Sequence, residues 1–163
     1  MKRILKSLLL AGASVALLAI ARPAGAQTIT ISANVPARCS FSNAANIAFP
    51  GTYDGTADVT ATGTITTQCT RGTDYTISIS EGNDPALGSR QMEHTVTAGE
   101  FLAYDLYQDA GYATAWRETT PLDPPGTSTS NAPVVHNVYA RIALGQDPLI
   151  GAYQDVVTVT VTP

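Results

Sequence analysis

Few side chains in this chain of 163 residues could do chemistry, and they are thinly spread. Cys39 and Cys69 are the two cysteines, and His94 and His136 the two histidines. A structural zinc site needs four soft or imidazole ligands at characteristic spacings. Neither histidine stands at such a spacing from either cysteine. Glu93-His94 offers a general base, but no serine or cysteine nucleophile motif accompanies it. Asp54 with Asp58, and Asp105 with Asp109, are pairs of the kind that glycoside hydrolysis uses. No flanking cleft residues support that chemistry, and they read as solvated acids. Tyr104, Tyr107, Tyr112 and Trp116 could stack on a sugar, but large aromatics serve first as core and rim packing. Arg90 and Arg141 read as partners of carboxylates or as loop caps. No catalytic residue, cofactor or metal is expected, and the chain does not read as an enzyme. What remains is oxidation of the cysteine pair.

Whether two cysteines oxidise depends on the compartment. Lys2, Arg3 and Lys6 form a basic start, and Leu8 to Ile20 an apolar run too short to span a bilayer comfortably. Ala24-Gly25-Ala26 places small residues where signal peptidase cuts. Residues 1–26 therefore read as a secretory signal peptide, with no membrane insertion after its removal. In an exported chain the even pair predicts a Cys39–Cys69 disulfide. Closing a loop of about 30 residues would stabilise the fold by about 3–4 kcal/mol in the chain-entropy account. Cleavage removes Lys2, Arg3, Lys6 and Arg22, leaving five arginines against all 13 acids and a net charge of −8. A lysine-free acidic surface excludes nucleic acid and anionic membrane as partners.

The elements that must hold these residues are strands. The strongest signal is Gly151 to Thr162, where Tyr153, Asp155, Val157, Val159 and Val161 share one face and Gln154, Val156, Thr158, Thr160 and Thr162 the other. No later strand covers its edge, and an open Val/Thr edge is a template for another chain. Thr28 to Val35 alternates as well, with Ile29, Ile31, Ala33 and Val35 on one face, before Pro36 removes a donor. Further strands are read at 59–69, with Ile65 and Cys69 inward, and at 75–80, with Tyr75, Ile77 and Ile79 inward. Others follow at 90–92, 102–107 and 134–144. Residues 42–58 are turn-rich around an apolar patch, Ile47-Ala48-Phe49, and 117–133 reads as a surface loop. Gly63 and Gly151 stand where close packing or a bulge would need glycine. No amphipathic helix is read after the signal. Short strands about ten residues apart predict one all-β domain, an antiparallel sandwich.

An ordered set of motifs carries a resemblance. It runs through Cys39, Gly63-Thr-Ile-Thr-Thr-Gln-Cys69, Tyr75-Thr-Ile-Ser-Ile79, Arg90-Gln-Met92 and Leu102-Ala-Tyr104-Asp-Leu106-Tyr107. It continues through Trp116, Val138-Tyr139-Ala-Arg141-Ile142, Gly145-Gln146 and Gly151-Ala-Tyr153-Gln-Asp155. In that order the chain resembles the spore coat protein U domain, a family that includes pilin subunits of archaic chaperone–usher pili. The resemblance implies an immunoglobulin-like β-sandwich lacking its last strand. It also implies a periplasmic chaperone that lends a strand in export, an outer-membrane usher, and neighbouring copies or sister subunits as partners. Residues 27–36 would be the donor segment, with Ile29, Ile31, Ala33 and Val35 filling pockets, and 37–163 the domain. The acceptor groove would lie beside Tyr153, Asp155, Val157, Val159 and Val161. The resulting expectation is an exported structural subunit of a surface fibre, passing through the periplasm to the cell surface. A non-fibrous coat protein, and a secreted carbohydrate-binding adhesin using Tyr107 and Trp116, are the other readings.

Overall fold

Alternation becomes a ladder wherever a segment finds a neighbour. A computed structural model describes residues 25, 27–85, 89–122 and 124–163, and among these there are strands and no helix. The expected signal peptide, residues 1–26, lies outside the described residues save Gly25. The chain divides between Asn34 and Val35. The strands are β1 (Cys39–Ala44), β2 (Val59–Cys69), β3 (Asp74–Ile79), β4 (Arg90–His94), β5 (Phe101–Tyr107), β6 (Gly126–Thr127), β7 (Val134–Ile142), β8 (Tyr153–Gln154) and β9 (Val159–Thr162). They form two antiparallel sheets, one ordered β1-β2-β7-β5-β4-β8 and the other β6-β3-β9.

The core follows the period-2 pattern. Ile65 and Cys69 from β2, Leu102, Tyr104 and Leu106 from β5, and Val138, Ala140 and Ile142 from β7 are buried from the larger sheet. Tyr75, Ile77 and Ile79 meet them from β3. Each buried isoleucine- or leucine-sized side chain contributes about 1.5–3 kcal/mol. Trp116 is only 1% exposed, and its indole N–H donates to the Ile77 carbonyl at 2.8 Å. That bond satisfies the one polar atom of the ring inside the core.

A buried arginine ties the sheets together. Arg90 on β4 has no exposed surface, so each donor must find an acceptor. Its Nε donates to the Ser80 carbonyl at 2.8 Å, and its Nη2 to the carbonyls of Ile79 and Trp116 at 3.0 and 2.7 Å. Nη1 meets Asp105 Oδ1 at 2.8 Å. Asp105 also pairs with Arg117, which pairs with Glu81. Asp105 is therefore an ionic strut between two arginines. Asp109 accepts the backbone N–H groups of Gly111, Ala113 and Thr114, which lowers its pKa and shapes a hairpin turn. The disulfide joins Cys39 to Cys69, direct partners in the β1–β2 ladder, with an S–S length of 2.06 Å and Cα atoms 4.1 Å apart.

Three stretches depart from the sequence reading. The run from Tyr153 to Val161 is not one strand: β8 pairs with β4 in the larger sheet, whereas β9 pairs with β3 in the smaller one. The chain changes sheets at 155–158, and alternation continues unbroken through such a crossing, so it hides it. The 117–133 loop contains β6, two residues that extend β3 at its edge. Residues 27–38 belong to no strand, since an alternating segment needs a partner to become one.

Candidate functional site: an apolar cleft between the sheets

The two sheets are not closed on each other along one side. A cleft of about 390 Å³ opens there. Its floor is core: Ile65, Leu106, Val138 and Ala140 from the larger sheet, and Ile79 from β3. One wall is the stretch Tyr153 to Val159, the other residues 44–49 after β1.

The second wall is built around a glycine. After Ala44 the chain leaves its ladder, with the Ala45 N–H still reaching the Thr64 carbonyl at 3.3 Å. Ile47 and Phe49 then turn inward while Asn46 and Ala48 stay exposed. Ile47 packs where a side chain at position 63 would be: a Cβ on Gly63 would lie 2.4 Å from Ile47 Cγ1. Phe49 meets the ring of Tyr104 edge-on at 6.3 Å. The sequence showed Ile47-Ala48-Phe49 as an apolar patch; the signal of its role was its alternation, matched by a glycine inside a strand.

The first wall is held by a polar hub. Asp155 Oδ2 accepts the Tyr104 hydroxyl at 2.7 Å, and Oδ1 accepts the N–H of Asn83 at 2.9 Å and of Val156 at 2.7 Å. Burial, and then the bond to Asp155, raise the Tyr104 pKa above the ordinary phenol value. Beyond the hub, the Ser80 N–H reaches the Thr158 carbonyl at 2.8 Å and the Thr158 N–H reaches Ser80 Oγ at 2.8 Å. Val157 and Val159 turn toward the core and Val156, Thr158 and Thr160 outward. Val161 pairs with Ile77 further along β9. Among the described residues β9 is bonded to β3 alone, so its other edge presents unpaired backbone groups.

Of the predicted groove set, the cleft brings together Tyr153, Asp155, Val157 and Val159. Ile29, Ile31 and Val35 are 87%, 93% and 74% exposed, and Ala33 is exposed too. Trp116 is buried, which removes it from any sugar platform. Tyr107 and Tyr112 instead flank Arg141, whose Cζ lies 5.4 and 5.3 Å from their ring centres. Arg141 reaches Asp58 at 3.8 Å, and Asp54 closes a turn with Thr56. His94 Nδ1 accepts the backbone N–H groups of Val96 and Thr97, and His136 Nε2 lies 3.2 and 3.3 Å from Thr67 Oγ1 and the Tyr75 hydroxyl. Burial holds His136 below its ordinary pKa. What the cleft offers is an apolar floor beside a strand edge, features that binding of an extended peptide uses.

The spore coat protein U domain family matches residues 26–160. Protein U of Myxococcus xanthus is 32% identical over 160 residues, covering 86% of this chain and 88% of its own. Among solved structures, one likeness is to a chain in the crystal structure of the CsuC–CsuE chaperone–tip adhesion subunit pre-assembly complex from the archaic chaperone–usher Csu pili of Acinetobacter baumannii. It has a TM-score of 0.55 at 24% identity and covers 78% of this chain but 40% of that one, so this chain spans about two fifths of its length. A chain of a chaperone–tip adhesin complex in CFA/I fimbriae biogenesis gives a TM-score of 0.49 at 15% identity, over 78% of this chain and 41% of that one. The first of these likenesses speaks to the fold. The family match spans nearly all of the folded domain, and the relative is matched over 88% of its length: the chain belongs to the spore coat protein U domain family.

Proposed function

We propose that the protein is an exported structural subunit of a bacterial surface fibre, built by donor-strand complementation. Residues 28–35 of one copy lie in the cleft of the next, between residues 44–49 and β9. Backbone bonds to the free β9 edge supply pairing, and Ile29, Ile31, Ala33 and Val35 fill the apolar floor. A periplasmic chaperone occupies the same cleft during export, and an outer-membrane usher exchanges it for the next subunit. The observation that carries this reading is the open cleft itself, floored by core residues and bordered by an unpaired strand edge. An exposed apolar seam of that kind in an exported protein calls for a partner strand. The chaperone–usher origin of the structural likeness supports the same direction.

The test uses a chain lacking residues 27–35, whose ladders all lie within 39–162. A synthetic Thr28–Val35 peptide should raise its melting temperature. No shift at saturating peptide rejects the cleft as an acceptor. The family match to a spore coat domain supports one other reading, a non-fibrous coat protein. Electron microscopy of the producing cell separates the two, as fibres or as a layer.

A further inference from the structure

The charge of the folded domain is distributed unevenly from end to end. Of the arginines after the signal, Arg90 and Arg117 pair with Asp105, and Arg141 with Asp58. Arg38 and Arg71 have no ion pair among the described residues, and both are exposed. They sit at the same end. Arg38 immediately precedes the disulfide, Arg71 lies in the turn after Cys69, and the Thr70 N–H donates to the Arg38 carbonyl at 2.8 Å. Asp74 closes the same turn and is held by Thr127.

The other end is acidic. Three loops meet there: 51–58, the β4–β5 turn and 143–152. They are joined by the Gly145 N–H to Gly55 carbonyl bond at 2.9 Å, the Leu144 N–H to Asp58 bond at 2.8 Å and the Thr95 N–H to Ala152 carbonyl bond at 2.8 Å. Asp54, Asp58, Glu100 and Asp147 are exposed on them. The 11 residues of β2 separate the two ends by roughly 35 Å at the rise of a strand.

A short tether turns this asymmetry into an interface. Three residues, Pro36-Ala37-Arg38, separate Val35 from Cys39, and fully extended they reach about 10 Å. A copy whose 28–35 segment lies in its neighbour's cleft must therefore abut that neighbour at the end where the segment leaves. β9 starts from the acidic end, at the Asp155 crossing, and runs toward the disulfide end, where Thr162 pairs with Thr76. If the segment leaves at the disulfide end, Arg38 faces the neighbour's own Arg38 and Arg71. If it leaves at the acidic end, the arginines face the neighbour's carboxylates instead.

We propose that successive copies are joined end to end by a charged contact, Arg38 and Arg71 of one copy against Asp54, Glu100 and Asp147 of the next. This rests on the donor-strand reading, and it adds a second, head-to-tail interface that fixes which way the inserted strand points. A heterologous contact of this kind repeats without closing, as a fibre requires.

The test is self-association of the full exported chain, followed by sedimentation against sodium chloride. Two exposed ion pairs predict a weakening of roughly 2- to 30-fold between low and high salt. R38E/R71E should weaken association at low salt by the same factor, and adding E100R/D147R to those two changes should restore it. The 28–35 peptide carries no charged side chain, so its binding to the chain should be indifferent to salt and to R38E/R71E. If peptide binds while self-association ignores both salt and charge reversal, the end-to-end contact is overturned and the cleft reading stands. If peptide does not bind, both fall together.

Discussion

A single substitution in the proposed donor segment tests the cleft most sharply. Ile31 is 93% exposed in the chain, so moving it into the cleft transfers nearly its whole side chain out of water. That burial is worth about 1.5–3 kcal/mol. Replacing it by aspartate removes that term and adds the desolvation of a carboxylate, itself several kcal/mol after relaxation. Ser32 lies on the opposite face of an extended segment, so Ser32→Asp should leave binding nearly unchanged. The assay is thermal unfolding of the chain lacking 27–35 with each peptide. Wild-type peptide at about 100 times its Kd contributes about 2.7 kcal/mol, a shift of about 5–15 °C for a domain of this size. The Ile31→Asp peptide at the same concentration should give no measurable shift, and the Ser32→Asp peptide most of it. Equal shifts from both substituted peptides, or a greater loss from Ser32→Asp, would refute the idea that alternate side chains enter pockets.

Two other outcomes follow from the sandwich itself. Replacing Cys39 and Cys69 together by alanine should lower stability by about 3–4 kcal/mol, read as a lower urea midpoint that reductant no longer changes. His136 makes stability depend on pH. Its folded-state pKa is held below the ordinary 6.5 by burial, so the unfolded chain takes up a proton that the folded chain resists. Its contribution is complete above that value, falls as pH drops from about 7 and is exhausted once pH passes the folded pKa. Urea unfolding between pH 7 and 5 should show this slope, and His136→Gln should flatten it.

Most of the sandwich was legible because burial and period 2 coincide. Ile65 and Cys69, Tyr75, Ile77 and Ile79, and Val138, Ala140 and Ile142 are inward as their parity predicts. The arginines were legible in kind, since a buried guanidinium must find carboxylates, although Asp105 serving both Arg90 and Arg117 was not. The cleft was legible only in part. Tyr153 to Val161 reads as one strand, yet its two halves belong to different sheets, and a pattern of faces carries no record of which neighbour a strand meets. The opposite wall was missed because Ile47 and Phe49 sit among turn residues. The inward direction of Ile47 depends on the empty position at Gly63, 16 residues away in sequence and adjacent only after folding.

The sheet crossing that alternation hid also forms one wall of the cleft. Were 155–158 free to move, β9 could lean inward and bury Val157 and Val159 against Ile65 and Leu106, closing the cleft. Asp155 opposes this by holding the Tyr104 hydroxyl and the Asn83 amide from different elements at once. Gly82 makes room for it: φ there is +88°, and a Cβ would lie 2.0 Å from Asp155 Oδ2. Gly82→Ala therefore displaces the carboxylate without changing any residue that lines the cleft. Left-handed backbone at alanine costs about 1–2 kcal/mol, and the broken bonds cost about 1–3 kcal/mol more. If the hub holds the wall, donor peptide should bind Gly82→Ala much more weakly than the parent even at temperatures where both are fully folded. Unchanged peptide affinity in a destabilised but folded Gly82→Ala chain would show that the wall stands without Asp155, and that the cleft is kept open by the packing of Ile47 over Gly63 instead.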